Sequence, residues 1–366
     1  DVLRLDAVAF MWKRMDTRCQ SEPEVHMLLQ ALRACSRIAS AAVLHLAEAI
    51  VAPAEMLPYL GRGRHDGKVA NLAYHNSLMV QFWSALATRD TRLMTHVLGA
   101  HFPGSLTNAT YATYIRCHDD IGWAITDEDA SAIGASGHGH RNFLSDFYEG
   151  SFPGTFAQGA LFQHNEATGD KRISGSFASL AGLEKAEAAG DVAGVEMAVR
   201  RILLGHALIA VWAGIPMIYM GDELALANDH GYLNVPEHAH DSRWIHRPQM
   251  DWQRAEGRHA GDTASARVFW GTKQILARRA AIPALHGAVP VRVVASGNSA
   301  VFAVQRLAPT GTLLGLFNFS EAWAQVSADT IRSLGVRGLH DALSDQPVET
   351  HQGQIILPPY ARVWLT

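Results

Sequence analysis

Three acidic side chains, Asp6, Glu48 and Asp119, follow short apolar runs of the kind that form buried strands. Because adjacent ionised carboxylates are costly to bury, we expect them where the strands end, at the edge of a sheet. An acidic residue after one strand is more often a solvated turn or a helix cap. Three in succession favour a functional site, and their chemistry would be that of paired carboxylates.

The surroundings of these carboxyls predict different roles for them. Arg4 lies two residues before Asp6 and so on the same side of a strand, where it would hold Asp6 ionised as a nucleophile. Apolar neighbours of Glu48 would raise its pKa and suit it to act as a general acid. Two such carboxyls, roughly 5–5.5 Å apart, are the machinery of retaining glycoside cleavage. Asp119, with His118 beside it, would stabilise positive charge on the sugar.

Composition excludes several classes of function. The chain has 366 residues, 48% of them hydrophobic, and a net charge of −4. It contains no apolar run of roughly 18 residues that could span a bilayer, and its charge would not attract nucleic acid or an anionic membrane. Three scattered cysteines cannot form a disulfide framework. A neutral partner such as a sugar fits this composition.

Apolar runs and helical segments alternate along much of the chain, which predicts a parallel sheet with crossover helices. Ser21–Glu24 reads as a capping box that opens the first of these helices, through about Ile38. The other predicted helices cover 81–90, 192–212 and 264–279, and the predicted strands cover 2–5, 41–48, 111–118 and 215–220.

Two regions depart from this alternation. Residues 121–186 are polar and rich in glycine and aromatic residues, and an insertion of that length usually carries function. From about Val289 short alternating runs predict a small antiparallel β-domain. His138 and His140, in what reads as a glycine-rich loop, lack a third ligand, so we expect no metal. Gly61–Arg64 lacks the context of a phosphate loop, and we expect no nucleotide or other cofactor.

Several motifs together resemble the amylosucrase family, within the α-amylase superfamily of retaining glycoside hydrolases and transglycosylases. The likeness extends over essentially the whole chain, and the 121–175 insertion and the 241–248 segment are its most specific parts. The matching segments are 3–10, 48–50, 116–129, 151–157, 168–175, 219–223 and 241–248.

The resemblance implies an α/β fold made of the C-terminal portion of a (β/α)8 TIM barrel. Residues 1–120 and 187–287 would form the partial catalytic barrel, 121–186 an inserted loop-rich module on the acceptor side, and 288–366 a C-terminal antiparallel β-sandwich domain. It also places the first barrel strands before Asp1, so we expect residues 1–366 alone to be unstable or to aggregate. By resemblance the location is cytoplasmic.

The resemblance carries roles over to individual residues. It implies Asp6 as nucleophile, Glu48 as general acid/base and Asp119 as transition-state stabiliser, in agreement with the roles argued above. The substrate-binding residues it implies are Arg4 and His118 in the glucosyl pocket, Asp120 and Arg172 as a pair at the pocket mouth, and Arg243, which would close the pocket with an aspartate upstream of Asp1. Side chains that could line the acceptor path are Gln163, Asn165 and Arg141, and those that could stack on sugars or serve in the core are Trp123, Trp244 and Tyr148.

The function implied is a glucosyltransferase that cleaves sucrose, releases fructose and extends an α-1,4-glucan without a cofactor. Its partners would be sucrose and a glycogen-like or maltooligosaccharide acceptor, with no nucleic acid and no membrane. A sucrose hydrolase of the same architecture is the first alternative, because water could take the second step. An inactive glucan-binding fragment is the second.

Overall fold

Five parallel strands form the sheet that carries the candidate site. The computed structural model describes the whole chain, Asp1–Thr366. The strands are β1 (Val2–Leu5), β2 (Leu44–Ala47), β3 (Leu72–Tyr74), β4 (Thr110–Thr113) and β7 (Ile215–Pro216). They run in the order β1-β2-β3-β4-β7, so β1 and β7 are the outer strands. Val2 and Leu3 on the outer strand β1 are about half exposed, at 51% and 48%.

Helices connect and cover these strands. The helices are α1 (Pro23–Ala39), α2 (Asn76–Thr88), α3 (Arg92–His101), α4 (Asp127–Ala132), α5 (Gly137–Glu149), α6 (Phe177–Leu180), α7 (Leu183–Ala189), α8 (Val192–Val211), α9 (Trp252–Gly257), α10 (Ala264–Ala281) and α11 (Ala328–Ser333). Helix α2 is buried along almost its whole length, and α8 along its second half. None of the helices combines the length and the apolar character that crossing a membrane requires.

The predicted capping box before α1 is wrong. The N-cap position is held by Glu22, which makes no side-chain capping hydrogen bond, and Pro23 opens the helix. Ser21 lies in the left-handed region, with φ 56°, and its hydroxyl is 2.8 Å from the Tyr59 hydroxyl. The Ser21 side chain therefore makes a tertiary contact with Tyr59 in place of the capping hydrogen bond that the local pattern predicted.

Several element boundaries also differ from the sequence prediction. The strand predicted over 41–48 is shorter and covers Leu44–Ala47. Strand β4 ends at Thr113 rather than at residue 118, and the segment predicted as a strand over 215–220 pairs only at Ile215–Pro216. The proline at that point has no N–H to donate to a ladder. Helix α2 begins at Asn76, five residues before its predicted start, because the His75 imidazole accepts a hydrogen bond from the Leu78 N–H and caps it.

Residues 121–186, predicted as loop-rich, contain regular structure. Helices α4 and α5 are followed by an antiparallel hairpin of β5 (Ala160–His164) and β6 (Lys171–Ser174). His138 and His140 lie in α5 and not in a loop. Their Nε2 atoms are 3.0 Å from the Asn142 amide and 2.8 Å from the Ser84 hydroxyl.

The end of the chain forms antiparallel sheets. One has the order β13-β12-β16-β10-β9-β8 and the other β11-β15-β14. Their strands are β8 (Val291–Val294), β9 (Val301–Ala308), β10 (Gly311–Asn318), β11 (Ala324–Ser327), β12 (His340–Asp341), β13 (Gln346–Pro347), β14 (Thr350–His351), β15 (Gln354–Leu357) and β16 (Arg362–Leu365). The buried Arg306 of β9 donates to the Val211, His286 and Val289 carbonyls, and so joins this region to α8.

Candidate active site

Asp6 and Glu48 lie side by side at the carboxyl ends of β1 and β2. Leu5 is in register with Ala47, so the next residue on each strand is one of the two acids. After Asp6 the chain turns sharply, because Ala7 adopts a left-handed conformation with φ 47°. This turn aims the Ala7 N–H at the Glu48 carboxylate, 2.6 Å away. Ala7 therefore fixes the position of Glu48 relative to Asp6.

The two carboxyls differ in environment. Arg4 donates a hydrogen bond to Asp6, whose side chain is 76% exposed. Burial raises the pKa of Glu48, and the nearby Asp6 and Asp119 carboxylates raise it further. The Ala7 N–H and the Arg4 guanidinium act in the opposite direction. The site thus places an open, arginine-bound carboxylate beside a more buried carboxyl whose pKa burial raises.

Asp119 is surrounded by cationic and imidazole groups. Its carboxylate lies 3.8 Å from the Arg4 guanidinium, 3.3 Å from that of Arg243 and 3.1 Å from the His118 Nε2. Burial lowers the pKa of His118, while Asp119 opposes that shift. Arg4 therefore lies within reach of both Asp6 and Asp119 and links the two.

Asp120 and Arg172 form an ion pair across the pocket. An Arg172 nitrogen lies 3.2 Å from an Asp120 oxygen, and the pair joins the segment after β4 to strand β6 of the hairpin. The Asp120 side chain is only 7% exposed, whereas that of Arg172 is about half exposed. Burial raises the pKa of Asp120, and Arg172 opposes this. The buried carboxylate thereby holds an arginine that faces the pocket.

Arg243 has two carboxylate partners within this chain. It donates to both carboxylate oxygens of Asp241, at 2.7–3.2 Å, and to Asp119 at 3.3 Å. Its guanidinium also lies 4.6 Å from the centre of the Phe162 ring. The resemblance gave Arg243 a partner upstream of Asp1, and here Asp241 binds it in a bidentate pair.

A cavity of about 500 Å³ opens between these groups. The three predicted catalytic residues line it, as do the predicted binding residues Arg4, His118, Asp120, Arg172 and Arg243, whereas Gln163, Asn165 and Arg141 do not. Gln163 is exposed on β5, and the Asn165 amide oxygen accepts from the Ala167 N–H in the turn of the hairpin, so neither prediction places a side chain in the pocket. Arg141 lines an adjoining cavity of about 340 Å³ that shares Arg172 with the first.

The aromatic residues proposed as sugar platforms serve as packing. Trp123 is buried, donates to Ser145 and stacks on Tyr148, which is itself fully buried. Trp244 stacks on His238 with ring centres 3.6 Å apart. None of the three lines the pocket at Asp6.

Two arginines that the sequence interpretation left without a role hold the backbone around Asp119. Arg116, buried beneath the pocket, donates to the Asp119 carbonyl at 2.8 Å and to the Gly175 carbonyl at 2.9 Å. Arg247 donates to the His118 carbonyl at 2.8 Å and lies 3.6 Å from the Asp119 carboxylate. Both residues fall inside the motifs quoted above, which is the signal that could have marked them.

Paired carboxyls at the carboxyl ends of neighbouring parallel strands are an arrangement that glycoside chemistry uses. Comparisons with known proteins agree with that chemistry. Residues 291–366 match the family model described as Amylosucrase, C-terminal domain. The trehalose synthase/amylase TreS of Mycolicibacterium smegmatis is 30% identical over 130 residues, which are 35% of this chain and 22% of that protein.

Two further relatives cover more of the chain. Glucosylglycerate phosphorylase of Allomeiothermus silvanus is 25% identical over 81% of this chain and 49% of its own length. The solved structure of sucrose 6F-phosphate phosphorylase from Thermoanaerobacter thermosaccharolyticum superposes with a TM-score of 0.60 at 17% identity, over 87% of this chain and 56% of that one. The chain thus spans about half, or less, of these relatives' length. Together the matches support an enzyme of the α-amylase superfamily and single out no activity within it.

Proposed function

We propose that the protein is a retaining glucosyltransferase that takes glucose from sucrose and adds it to the 4-hydroxyl of an α-1,4-glucan. The observation that carries this proposal is the pair Asp6 and Glu48, held at one level by adjacent strands and by the Ala7 N–H. One acid is open and bound by arginine, and the other is more shielded, with a pKa that burial raises. These are the two states that a nucleophile and a general acid require.

In the first step an Asp6 oxygen attacks the anomeric carbon of the glucosyl unit. The bond from that carbon to the fructosyl oxygen breaks, and Glu48 gives its proton to the leaving oxygen. Asp119, opposite them, stabilises the positive charge that develops on the sugar ring. The product is a covalent β-glucosyl-enzyme and free fructose.

In the second step Glu48, now ionised, accepts the proton of the incoming 4-hydroxyl. The acceptor oxygen bonds to the anomeric carbon as the bond to Asp6 breaks, so that the two inversions give net retention. No cofactor enters either step. The pair Asp120 and Arg172 supports transfer over hydrolysis, because polar groups at the pocket mouth can hold an acceptor sugar in place of water.

A second candidate is phosphorolysis, in which phosphate accepts the glucosyl unit. Four arginines line the pocket and could bind a phosphate: Arg4, Arg172, Arg243 and Arg247. Two of the relatives carry the word phosphorylase in their names. Carboxylates already neutralise three of these arginines, Arg4, Arg172 and Arg243, in close ion pairs, and for that reason we place phosphorolysis second.

The test is to incubate the protein with sucrose and glycogen and to measure fructose, glucose and glucan growth. The proposal expects fructose in excess of free glucose, with growth of the glucan. Equal release of fructose and glucose without growth would instead identify a hydrolase, and phosphate-dependent glucose 1-phosphate would identify a phosphorylase. The variant Asp6→Asn is the control, because a protein that only binds glucan has no turnover for this change to remove.

Arg172→Gln tests the acceptor side separately. This variant keeps Asp6, Glu48 and Asp119 intact while removing the cation at the pocket mouth. We expect fructose release to continue while the fraction of glucose transferred to glucan falls severalfold. An unchanged ratio of transfer to hydrolysis would remove Arg172 from the acceptor role.

A further inference from the structure

A second cavity, of about 630 Å³, lies where α8 and α10 meet the C-terminal sheet. Its walls include Arg200 on α8, Arg267 and Trp270 on α10, and Arg362 on β16. It shares no residue with the cavity at Asp6. We call it the α8–α10 cavity. Its volume is in the range of small-molecule sites.

One carboxylate in this cavity is already neutralised by two of the arginines. Glu196 accepts a hydrogen bond from Arg200, its neighbour one turn along α8, and a second from Arg267 on α10. Each arginine binds a different carboxylate oxygen of Glu196, and together they lower the pKa of Glu196 against the effect of burial. Arg200 also donates to the Pro359 carbonyl at 3.3 Å, and the Arg267 Nε lies 3.6 Å from the exposed Asp262 carboxylate. One terminal nitrogen of each guanidinium has no partner within the chain and is left for a ligand.

The other carboxylate, Asp341, is held by backbone and hydroxyl donors. One of its oxygens accepts from the Leu343 and Trp364 N–H groups, at 3.1 and 2.8 Å. The other accepts from the Ser344 N–H and hydroxyl, at 3.2 and 2.5 Å. Four donors thus occupy the Asp341 carboxylate.

Arg362 differs from the other two arginines of this cavity because it is not hydrogen-bonded to a carboxylate. Its Nε is buried without a hydrogen-bond partner, although a buried charged group is normally paired. Burial lowers the pKa of Arg362 to about 10, and Asp341 offsets only part of that effect. The terminal nitrogens of Arg362 make no hydrogen bond within the chain, and an anion in the cavity would accept from them and balance the charge of this guanidinium.

We propose that the α8–α10 cavity binds the phosphate group of a small molecule. Three arginines line it, Arg200, Arg267 and Arg362, and guanidinium groups bind the oxygens of phosphate well. Trp270, 45% exposed on the wall, offers an aromatic face to whatever the phosphate carries. The ammonium of Lys273 lies over that ring, 4.5 Å from its centre.

The test is calorimetric titration of the protein at constant ionic strength, first with inorganic phosphate and then with glucose 6-phosphate. Arg362→Gln is expected to weaken phosphate binding at least tenfold. Arg332→Gln is the matched control, because Arg332 is an exposed arginine of the same C-terminal region, and it should bind as the wild type does. Arg172→Gln should also bind normally, which separates this cavity from the one at Asp6.

If Arg362→Gln does not fold, Arg200→Gln provides the same test from a more exposed position and should weaken binding severalfold. Trp270→Ala distinguishes the source of the phosphate. Loss of a preference for glucose 6-phosphate over inorganic phosphate in this variant assigns a sugar phosphate, whereas equal affinities in the wild type assign the free ion. Unchanged phosphate affinity in both arginine variants, or loss of binding in Arg172→Gln, would overturn the proposal.

Discussion

Replacing the buried Arg116 with methionine should damage both the stability of the protein and the geometry of its site. Arg116 is 2% exposed and donates one hydrogen bond to the Asp119 carbonyl and one to the Gly175 carbonyl. Methionine fills much of the same volume but donates to neither. Because each of the two hydrogen bonds from this charged group contributes about 1.5–3 kcal/mol, we expect the free energy of unfolding to fall by about 3–6 kcal/mol.

The same change should slow catalysis beyond its effect on folding. The Asp119 carbonyl would lose its donor, and the segment that carries the Asp119 carboxylate would be free to shift. A displacement of about 1 Å in a positioned group can cost about 100-fold in rate. We therefore expect kcat/KM for sucrose, corrected for the folded fraction, to fall by about that factor.

Arg201→Met is the matched control for this experiment. Arg201 is likewise buried, donates to the Ala181 carbonyl at 2.9 Å and lies 3.8 Å from the centre of the Phe156 ring, yet it does not line the pocket. Urea unfolding should show a loss of stability for both variants, and kcat/KM should fall only for Arg116→Met. Wild-type kcat/KM in folded Arg116→Met, or an equal loss in Arg201→Met, would refute the positioning role.

Three further predictions follow from buried groups. Since burial raises the pKa of Glu48, wild-type kcat/KM should fall as the pH rises through that raised value. Glu48→Gln should lower kcat/KM by a factor of about 10²–10⁴ and should not show this fall at high pH. A fall that persists in the variant would mean that another group donates the proton. Burial raises the pKa of Asp222 to about 8, so the folded protein keeps a proton there that the unfolded chain loses above about pH 4, and the free energy of unfolding declines between these pH values. Asp222→Asn should remove this decline, which amounts to on the order of 4 kcal/mol at pH 7. A variant whose Tm depends on pH as that of the wild type does would contradict this prediction. Arg306→Leu leaves three backbone carbonyls without their donor and should lower the unfolding free energy by about 3–6 kcal/mol in urea, whereas a loss below 1 kcal/mol would show that water replaces the arginine.

The position of Asp6 and Glu48 could be predicted because it depends on short-range rules. Each acid follows an apolar strand, and the parallel register of β1 and β2 sets the two at one level. The period of two along a strand also puts Arg4 and Asp6 on the same side, where they bond. The environment of Glu48 followed from its apolar neighbours, and burial does raise its pKa.

What the sequence could not supply depends on contacts between distant segments. Arg116 and Arg247 bind carbonyls, and every residue offers a carbonyl, so their place inside the motifs marks them without indicating what they bind. Asn165 was assigned to the acceptor path on polarity alone, whereas its amide stabilises the turn of the hairpin. Asp241, two residues before Arg243, became its partner through a local turn that the family resemblance did not suggest.

The central claim is that Asp6 forms a covalent bond to glucose, and the most direct measurement is mass spectrometry of a trapped intermediate. The variant Glu48→Gln is mixed with α-glucosyl fluoride, whose leaving group needs no acid but whose glucosyl-enzyme then lacks the base for the second step. We predict a peptide containing Asp6 that is heavier by one anhydroglucose unit, and no such peptide when Asp6→Asn is added to the variant. An adduct on another residue, or fluoride release with no adduct at all, would contradict the account.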